Sequence, residues 1–542
     1  MQIFSRLRNF WCFFLIIAIA ACQKVQSHNN RPAPLPQDVF VKVYFNQSES
    51  SKYQEPYRQQ TRLGDNLEQQ IIDAISQAKS TVDVAVQELR LPRIAQALRD
   101  KQKAGIKVRV ILENTYSRPV SSFTSDEVKK FASREKARYQ EYFKFIDLNQ
   151  DNKLSPEEIN QQDALMILRN AKIPWIDDQA DGSAGSALMH HKFVIVDNRI
   201  VIVTSANFTL SDVFGDFTNP NSLGNANNLL HIDSPELATL FTEEFNLMWG
   251  DGPGGKPDSK FGIQKPVRSP KTIILGDNKI TVHFSPTSPT SPWSQSSNGL
   301  IEKTLNSAKK SIDMALFVFS EQRLANSLEQ LHQQNISIRA LIDRQFAYRY
   351  YSEGLDMMGV ALSNKCQYEI NNRPWSNPVT TVGVANLPQG DILHHKFGLI
   401  DNETVITGSH NWSDTANFGN DETLIVINNP VIAAHYEREF TRMYANAQVG
   451  VPTKVQAKIK KEQKQCKQIK SPTSAELATP KVVNINTASS TELETLPGVG
   501  KKLAQKIIIA RQQRKFTSTQ DLDKIPGVSQ KMIEKWQGYI QF

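Results

Sequence analysis

Two distant stretches of the chain repeat one pattern of apolar and polar positions. Residues 78–113 align with 308–343 without a gap, at an offset of 230. Each predicts a helix end, an apolar strand (82–86; 312–316), a helix, and a second strand (108–112; 338–342). A later block repeats at the shorter offset of 195, residues 235–249 over 430–444. Strands alternating with helices predict an α/β fold, sheet inside and helices outside, present twice. The Gly- and Pro-rich residues 250–257 mark the seam between copies. The shorter second offset places extra residues in the first copy, at about 122–170.

A different pattern opens the chain. Arg6 and Arg8 precede an apolar run, residues 10–21, too short for a membrane span of about 20 residues and suited to a secretory signal. Its end, Ile19-Ala20-Ala21-Cys22, resembles the bacterial lipobox, which implies that Cys22 is acylated and becomes the first mature residue. An ordinary signal cleaved near Ala21 is the alternative; either places the protein outside the cytoplasm. Polar residues 22–39 then read as a flexible tether. Cys366 and Cys466 would sit in an oxidising compartment, and their spacing leaves open whether they pair.

Composition narrows the class. The 542 residues, 39% hydrophobic and 22% charged, exclude a disordered chain, a collagen-like fibre and a polytopic membrane protein. Four cysteines exclude a disulfide scaffold and offer no zinc-site spacing. The net charge of +8 is unevenly spread: residues 453–542 carry 17 Lys and Arg against 7 Asp and Glu. The basicity belongs to the C-terminal end.

The densest chemistry lies in two matching segments, MHHKFVIVDNRIVIVTSANFT and LHHKFGLIDNETVITGSHNWS. His190, Lys192, Asp197, Ser205 and Asn207 recur with identical spacing as His394, Lys396, Asp401, Ser409 and Asn411. The apolar strand between His and Asp puts His and Lys on one face by alternation. Asp-Asn turns the chain into a second apolar strand, whose end returns Ser and Asn beside the start of the first. Two such sets facing each other make a cage for a phosphodiester. Lys192 and Lys396 offset charge, Asn207 and Asn411 donate hydrogen bonds, one His attacks phosphorus and the other protonates the leaving oxygen. The chemistry needs no metal.

This pair of motifs resembles the phospholipase D superfamily, whose pattern is HxKx4Dx6GSxN, over about residues 40–448 apart from the insert. The resemblance implies a duplicated α/β/α core with the active site between its halves. It also makes Asp197 and Asp401 structural, holding their hairpins. Thr204 replaces the pattern's Gly in copy one, a change expected to narrow the phosphate pocket. Glu422 stands 28 residues after His394, where nucleases of this family place an acid that holds the catalytic imidazole; its copy-one counterpart is Asn227. A carboxylate favours imidazolium and an amide leaves the ring neutral. His190 is therefore expected as nucleophile and His394, held by Glu422, as acid.

The insert contains DLNQDNKLSPEE, which resembles an EF-hand loop. Asp147, Asn149, Asp151, Ser155 and Glu158 occupy positions 1, 3, 5, 9 and 12, with the Lys153 carbonyl at position 7, which implies a structural calcium ion. Asn152 stands where the pattern has Gly and tolerates the left-handed backbone required there. An Asx-rich helix-capping loop is the alternative.

Residues 454–470 hold seven Lys and one Glu, either a solvated linker or a basic arm that tracks phosphates. Residues 481–542 resemble the tandem helix-hairpin-helix domain of competence-type DNA receptors, carried by LPGVG at 496–500 and IPGVS at 525–529. The resemblance implies backbone contacts to DNA from Gly498, Gly500, Lys501 and Lys502 in one hairpin and Gly527 and Ser529 in the other. Such contacts are independent of base sequence and sensitive to salt. Ser529 replaces a Gly, which weakens the second hairpin, and a small helical domain for protein contact is the alternative.

The expected organisation is a signal (1–21), a tether (22–39), repeat one (40–249), a linker (250–278), repeat two (279–448), a basic linker (449–480) and a small all-α DNA-binding domain (481–542). The expected function is an exported, lipid-anchored, metal-independent DNase working through a phosphohistidine. A phospholipase D or phosphatidyl transferase acting on membrane phospholipid, and a surface protein that captures DNA, are the alternatives.

Overall fold

The two repeats become two sheets with matching strand order. The computed structural model describes residues 31–183, 186–369, 371–466 and, towards the C-terminus, 483–493, 496, 499–528, 532, 533, 536 and 540–542. The first sheet runs Val41–Phe45, Asn228–Asp233, Ile200–Thr204, Lys192–Val196, Thr81–Val86, Lys107–Leu112, Trp175–Asp177. The second runs Lys271–Leu275, Asn278–Ser285, Asn420–Asn428, Thr404–Gly408, Lys396–Ile400, Ser311–Leu316, Ser337–Ile342, Val382–Val384, Gln448–Val449. Strands joined by the crossover helices Pro92–Lys103 and Gln322–Gln333 are parallel, and those joined by the Asp-Asn turns are antiparallel hairpins.

The halves share one core. Phe193, Phe241 and Phe245 from the first half and Phe284, Phe397, Tyr436 and Phe440 from the second lie in a single buried cluster, while each half keeps a separate outer core. The residues leading into each motif strand pair with the other half. Leu188–Met189 lies parallel to Asn420 and Asp421, and Ala226 bridges Leu393. The His190 amide donates to Asp421 O (2.9 Å) and the His394 amide to Ala226 O (3.1 Å). This exchange of backbone bonds sets the two motifs face to face.

Several expected boundaries move. The tether is docked from Ala33 onward: Arg438 and His435 bond the carbonyls of Ala33 and Pro36, and Gln37 pairs with the Val43 backbone. The seam linker ends before Lys271, because Lys271–Leu275 joins the second sheet. The basic linker opens as a helix, Thr453–Gln465, fastened to the second half. Val455 and Ile459 pack on that core, Glu462 accepts from Ser363 N and Oγ, and Cys466 forms a disulfide with Cys366. Ahead of the loop, the insert forms two helices, Ser125–Lys130 and Ser133–Ile146, broken at Phe131, whose ring packs on Phe123 and Tyr139. The C-terminal domain buries its own core around Trp536, Leu493 and Ile507. A short parallel pair, Val483–Asn484 with Ile540–Gln541, closes it, so it is not all-α. Among the described residues no helix is long and apolar enough to cross a membrane.

Candidate active site

Each motif is anchored by its turn. Asp197 and Asn198 (φ 53° and 48°), like Asp401 and Asn402 (54° and 55°), take left-handed backbone at both central positions, the geometry of a tight hairpin that Asn and Asp tolerate. The Asp197 carboxylate accepts from the amides of Lys79, Ser80 and Thr81 (2.7–3.0 Å); Asp401 accepts from Lys309, Lys310 and Ser311 (2.8 Å each). Partial burial opposes their charge, but these amides hold both carboxyls below the ordinary value. Both aspartates belong to the hairpins, as expected.

The imidazole partners are crossed between halves, which corrects the expected pairing. His190 Nδ1 meets Glu422 Oε2 at 2.7 Å, and His394 Nδ1 meets Asn227 Oδ1 at 3.0 Å. Glu422 follows His394 in sequence, but it lies on the strand that pairs with the residues before His190, so it reaches the other ring. Each motif serine holds the partner within its own half: Ser409 Oγ donates to Glu422 Oε2 and Ser205 Oγ to Asn227 Oδ1, both 2.7 Å. Asn227 Nδ2 donates to the carbonyls of Asp212 and Asn225, which turns its oxygen toward His394. An amide oxygen only accepts, so His394 carries a proton on Nδ1.

The charges stand close enough to oppose one another. Burial, then the fields of Lys396, Lys192 and His190, push His394 well below the ordinary imidazole value. Burial lowers His190 to about 4 despite Glu422, which raises it. Burial lowers Lys192 to about 7; Lys396 is lowered well below its ordinary value by burial and by Lys192. The ammonium of Lys192 donates to His190 O (2.8 Å) and that of Lys396 to His394 O (2.6 Å). Glu422 stays ionised at about 2: burial resists its charge, and His190 beside it favours it. The cage is electropositive and suited to an anion.

Thr204 is fully buried in the strand end. Its hydroxyl donates to Asn228 O (2.6 Å) and accepts from the Ala206 amide, so it closes the strand end. Gly408, its counterpart, has φ 132°, and a Cβ there would lie 2.2 Å from Thr423 O. Asn207 and Asn411 sit half-buried just past the second motif strands, and their Oδ1 atoms lack a hydrogen-bond partner among the described residues.

Further residues support the site. Asp212 accepts from the Asn207 amide (2.8 Å) and lies 3.8 Å from His394 Nδ1. The second His of each motif ties the halves together. His191 meets Thr423 Oγ1 and Glu244, and His395 meets Asn228 and Glu439. The repeated HH dipeptide and the Glu shared by the repeated 235–249 and 430–444 blocks mark these pairs in sequence. Nothing marks Lys265. This linker residue is 6% exposed and pairs with Glu244 and Asp421 at 2.5 Å each, joining both halves beneath the motifs.

The insert loop hydrogen bonds to its own backbone. Asp147 accepts from the amides of Asp151 and Asn152, Asn149 from Asp151, and Asp151 from Lys153. Glu158 and Ser155 form a capping box at the start of Pro156–Gln162, and Asn152 has φ 62°. Among the described residues no three His, Cys, Asp or Glu side chains converge to hold a metal. In the C-terminal domain, Gly500 precedes the helix Lys501–Gln513, and Gly527 takes φ 104° with Lys506 Nζ on the Pro526 carbonyl. Cys22, Gly498 and Ser529, and the side chains of Lys501 and Lys502, lie outside the described residues.

A family model described as cardiolipin synthase, PLD-like domain, matches residues 71–249 and 301–444, over half of the chain, and a helix-hairpin-helix motif matches residues 480–541. The mitochondrial cardiolipin hydrolase of Xenopus laevis is 27% identical over 139 residues, 25% of this chain and 56% of that protein. The chain thus spans little more than half the length of that relative. Among solved structures, the phosphatidylserine synthase of Haemophilus influenzae Rd KW20 superposes with a TM-score of 0.45 at 13% identity, covering 81% of this chain and 96% of that one. Nuc from Salmonella typhimurium, a phospholipase D family member, gives 0.25 at 21% identity, covering 32% of this chain and 100% of that one.

Proposed function

The chain belongs to the family of PLD-like domains, and from that premise we propose that it is a nuclease cutting DNA outside the cytoplasm. The observation that carries this reading is the joining of a phosphodiester cage to a basic C-terminal region that matches a helix-hairpin-helix motif. A sequence-independent DNA binder on the same chain raises the local concentration of DNA at the cage.

In the proposed reaction the Nδ1–H of His190 is donated to Glu422, which leaves the lone pair on Nε2 to attack phosphorus. Forming the P–N bond and breaking the P–O bond puts positive charge on the His190 ring, and Glu422 stabilises it. His394 gives a proton to the leaving oxygen; hydrogen-bonded to an amide, with the Asp212 carboxylate no nearer than 3.8 Å, it is the stronger acid of the two. Water, deprotonated by His394, then cleaves the P–N bond. His190 thus keeps the nucleophile's role on different grounds from those of its expected pairing. Imidazoles and ammoniums supply the proton transfer and charge offset, so the proposed reaction uses no metal. Acid quenching during turnover of a labelled substrate should leave phosphate on the peptide containing His190; label on the His394 peptide would reverse the roles.

The test of the activity is supercoiled plasmid incubated with the mature protein in excess EDTA, beside His190→Ala and His394→Ala. Nicking lost in both variants is expected. Intact plasmid together with headgroup release from phospholipid vesicles would favour the second reading, a phospholipid phosphodiesterase or phosphatidyl transferase, which the names of the family and its relatives support. DNA capture that survives His190→Ala, with no cleavage of either substrate, would favour a surface DNA-capture protein.

Export is part of the proposal. The Cys366–Cys466 disulfide supports an oxidising compartment, and acylation of Cys22 supplies the anchor. Palmitate label lost in Cys22→Ser is the expected result. Calcium in the 147–158 loop is a separable proposal: it should raise Tm and leave cleavage in chelator intact. No heat of binding and an unchanged melting curve would leave a capping loop.

A further inference from the structure

The two halves treat the edge of the cage differently. At an offset of 230, Phe317 corresponds to Gln87 and Phe346 to Tyr116. In the first half Gln87 accepts from Lys192 (3.4 Å), and Tyr116 is covered by the guanidinium of Arg138 from the insert, 4.6 Å from its ring centre. The second half has no such insert. There the Lys396 ammonium lies 4.8 Å from the centre of the Phe317 ring, which stands edge-on to His394 (5.0 Å) and to Phe346 (4.7 Å). Both phenylalanines are only half-buried. The loop that carries Phe346 continues with exposed Arg344 and Arg349, and with Tyr350, 37% exposed, against Tyr351.

We propose that Phe317 and Phe346, rimmed by Arg344 and Arg349, form a ledge on which an unpaired base of single-stranded nucleic acid stacks, beside the phosphate being cut and on the His394 side. This rests on the nuclease reading and adds its strand preference. An aromatic face accepts any base, so the ledge selects for an unstacked strand and not for sequence. The arginines place positive charge where the next backbone phosphates run, a rim that suits a polyanion and not an acyl chain. Because the equivalent first-half ring is covered, only the nucleotide on the leaving-oxygen side is gripped.

The test uses the full chain and a labelled single-stranded DNA oligonucleotide in which one abasic position is moved across the cleavage site. In the wild type, removing the base on the His394 side should raise KM by about 5- to 150-fold, the range of base–aromatic stacking. Phe346→Leu keeps the bulk without the aromatic face. It should raise KM for the intact strand by a similar factor, lose its response to the abasic position, and leave kcat within about twofold. Phe346→Tyr should restore the wild-type pattern, and melting curves of both variants separate loss of stacking from loss of fold. Equal KM for intact and abasic strands in the wild type, with Phe346→Leu unchanged, would overturn the ledge and spare the nuclease. No cleavage of any nucleic acid, with headgroup release intact, would overturn both.

Discussion

An imidazole buried beside two ammonium groups gives up its proton more readily than one in water, because burial strips the charged ring of hydration and the ammoniums repel it. That is the state of His190 and His394 in the free protein, and at His190 it outweighs the opposing pull of Glu422. A phosphate-like anion supplies the missing negative charge, raises both values, and should draw protons from solution. Calorimetry of vanadate binding in two buffers of different ionisation enthalpy should therefore show net proton uptake at pH 7; identical heats would contradict the electropositive cage. The crossed pairing makes its own prediction. Glu422→Gln keeps the shape and removes the charge that raises His190, so the His190 resonance should titrate lower while His394 barely moves. Activity should fall by about 10²- to 10⁴-fold. A response confined to His394 would restore the uncrossed arrangement.

At the scale of single elements, the motif hairpins illustrate how a turn can be written locally and anchored remotely. Asp-Asn at 197–198 and 401–402 selects the left-handed turn by its own chemistry, while three amides from the preceding helix end and strand fasten the carboxylate. Asp401→Ala should cost about 1–3 kcal/mol, read from urea denaturation, because those amides lose their acceptor. The folded carboxyl value is depressed, so its contribution is present above the unfolded value of about 3.9 and is lost as pH falls through the lower folded value. The variant should therefore lose less stability than the wild type over that acidic window. A stability difference independent of pH there would assign the aspartate to packing alone.

At the scale of the whole molecule, two halves must be held in the one arrangement that sets the His and Lys of one motif against those of the other. Lys265 joins Glu244 of the first half to Asp421 of the second, and Asp421 O receives the His190 amide. Lys265→Met leaves Asp421 buried without its cation, while Glu244 keeps Arg268 and His191. It should destabilise by about 3–5 kcal/mol, with activity falling in the surviving folded protein. Adding Asp421→Asn should recover part of that loss, and purely additive effects in the double-mutant cycle would deny the coupling.

Residues whose roles depend on neighbours a few positions away were legible in the chain itself. The duplicated sheet, the motif strands and the tight turns follow from periodicity and from Asp-Asn chemistry, and the structure places them within a residue or two of expectation; the structural role of the two aspartates was implied by the family resemblance. Glu422 and Asn227 were legible as site residues too, but not their partners. His190 and Glu422 are 232 positions apart, and sequence spacing within one half says nothing about which ring of the facing half a side chain will meet. The same holds for Lys265, for the Cys366–Cys466 pair 100 residues apart, and for the basic helix that packs on the second half. Sequence determined two half-sites because hydrogen-bonding and burial preferences are local. Only the tertiary structure decided how they combine, because the exchange of strands across the seam assigns each imidazole its partner.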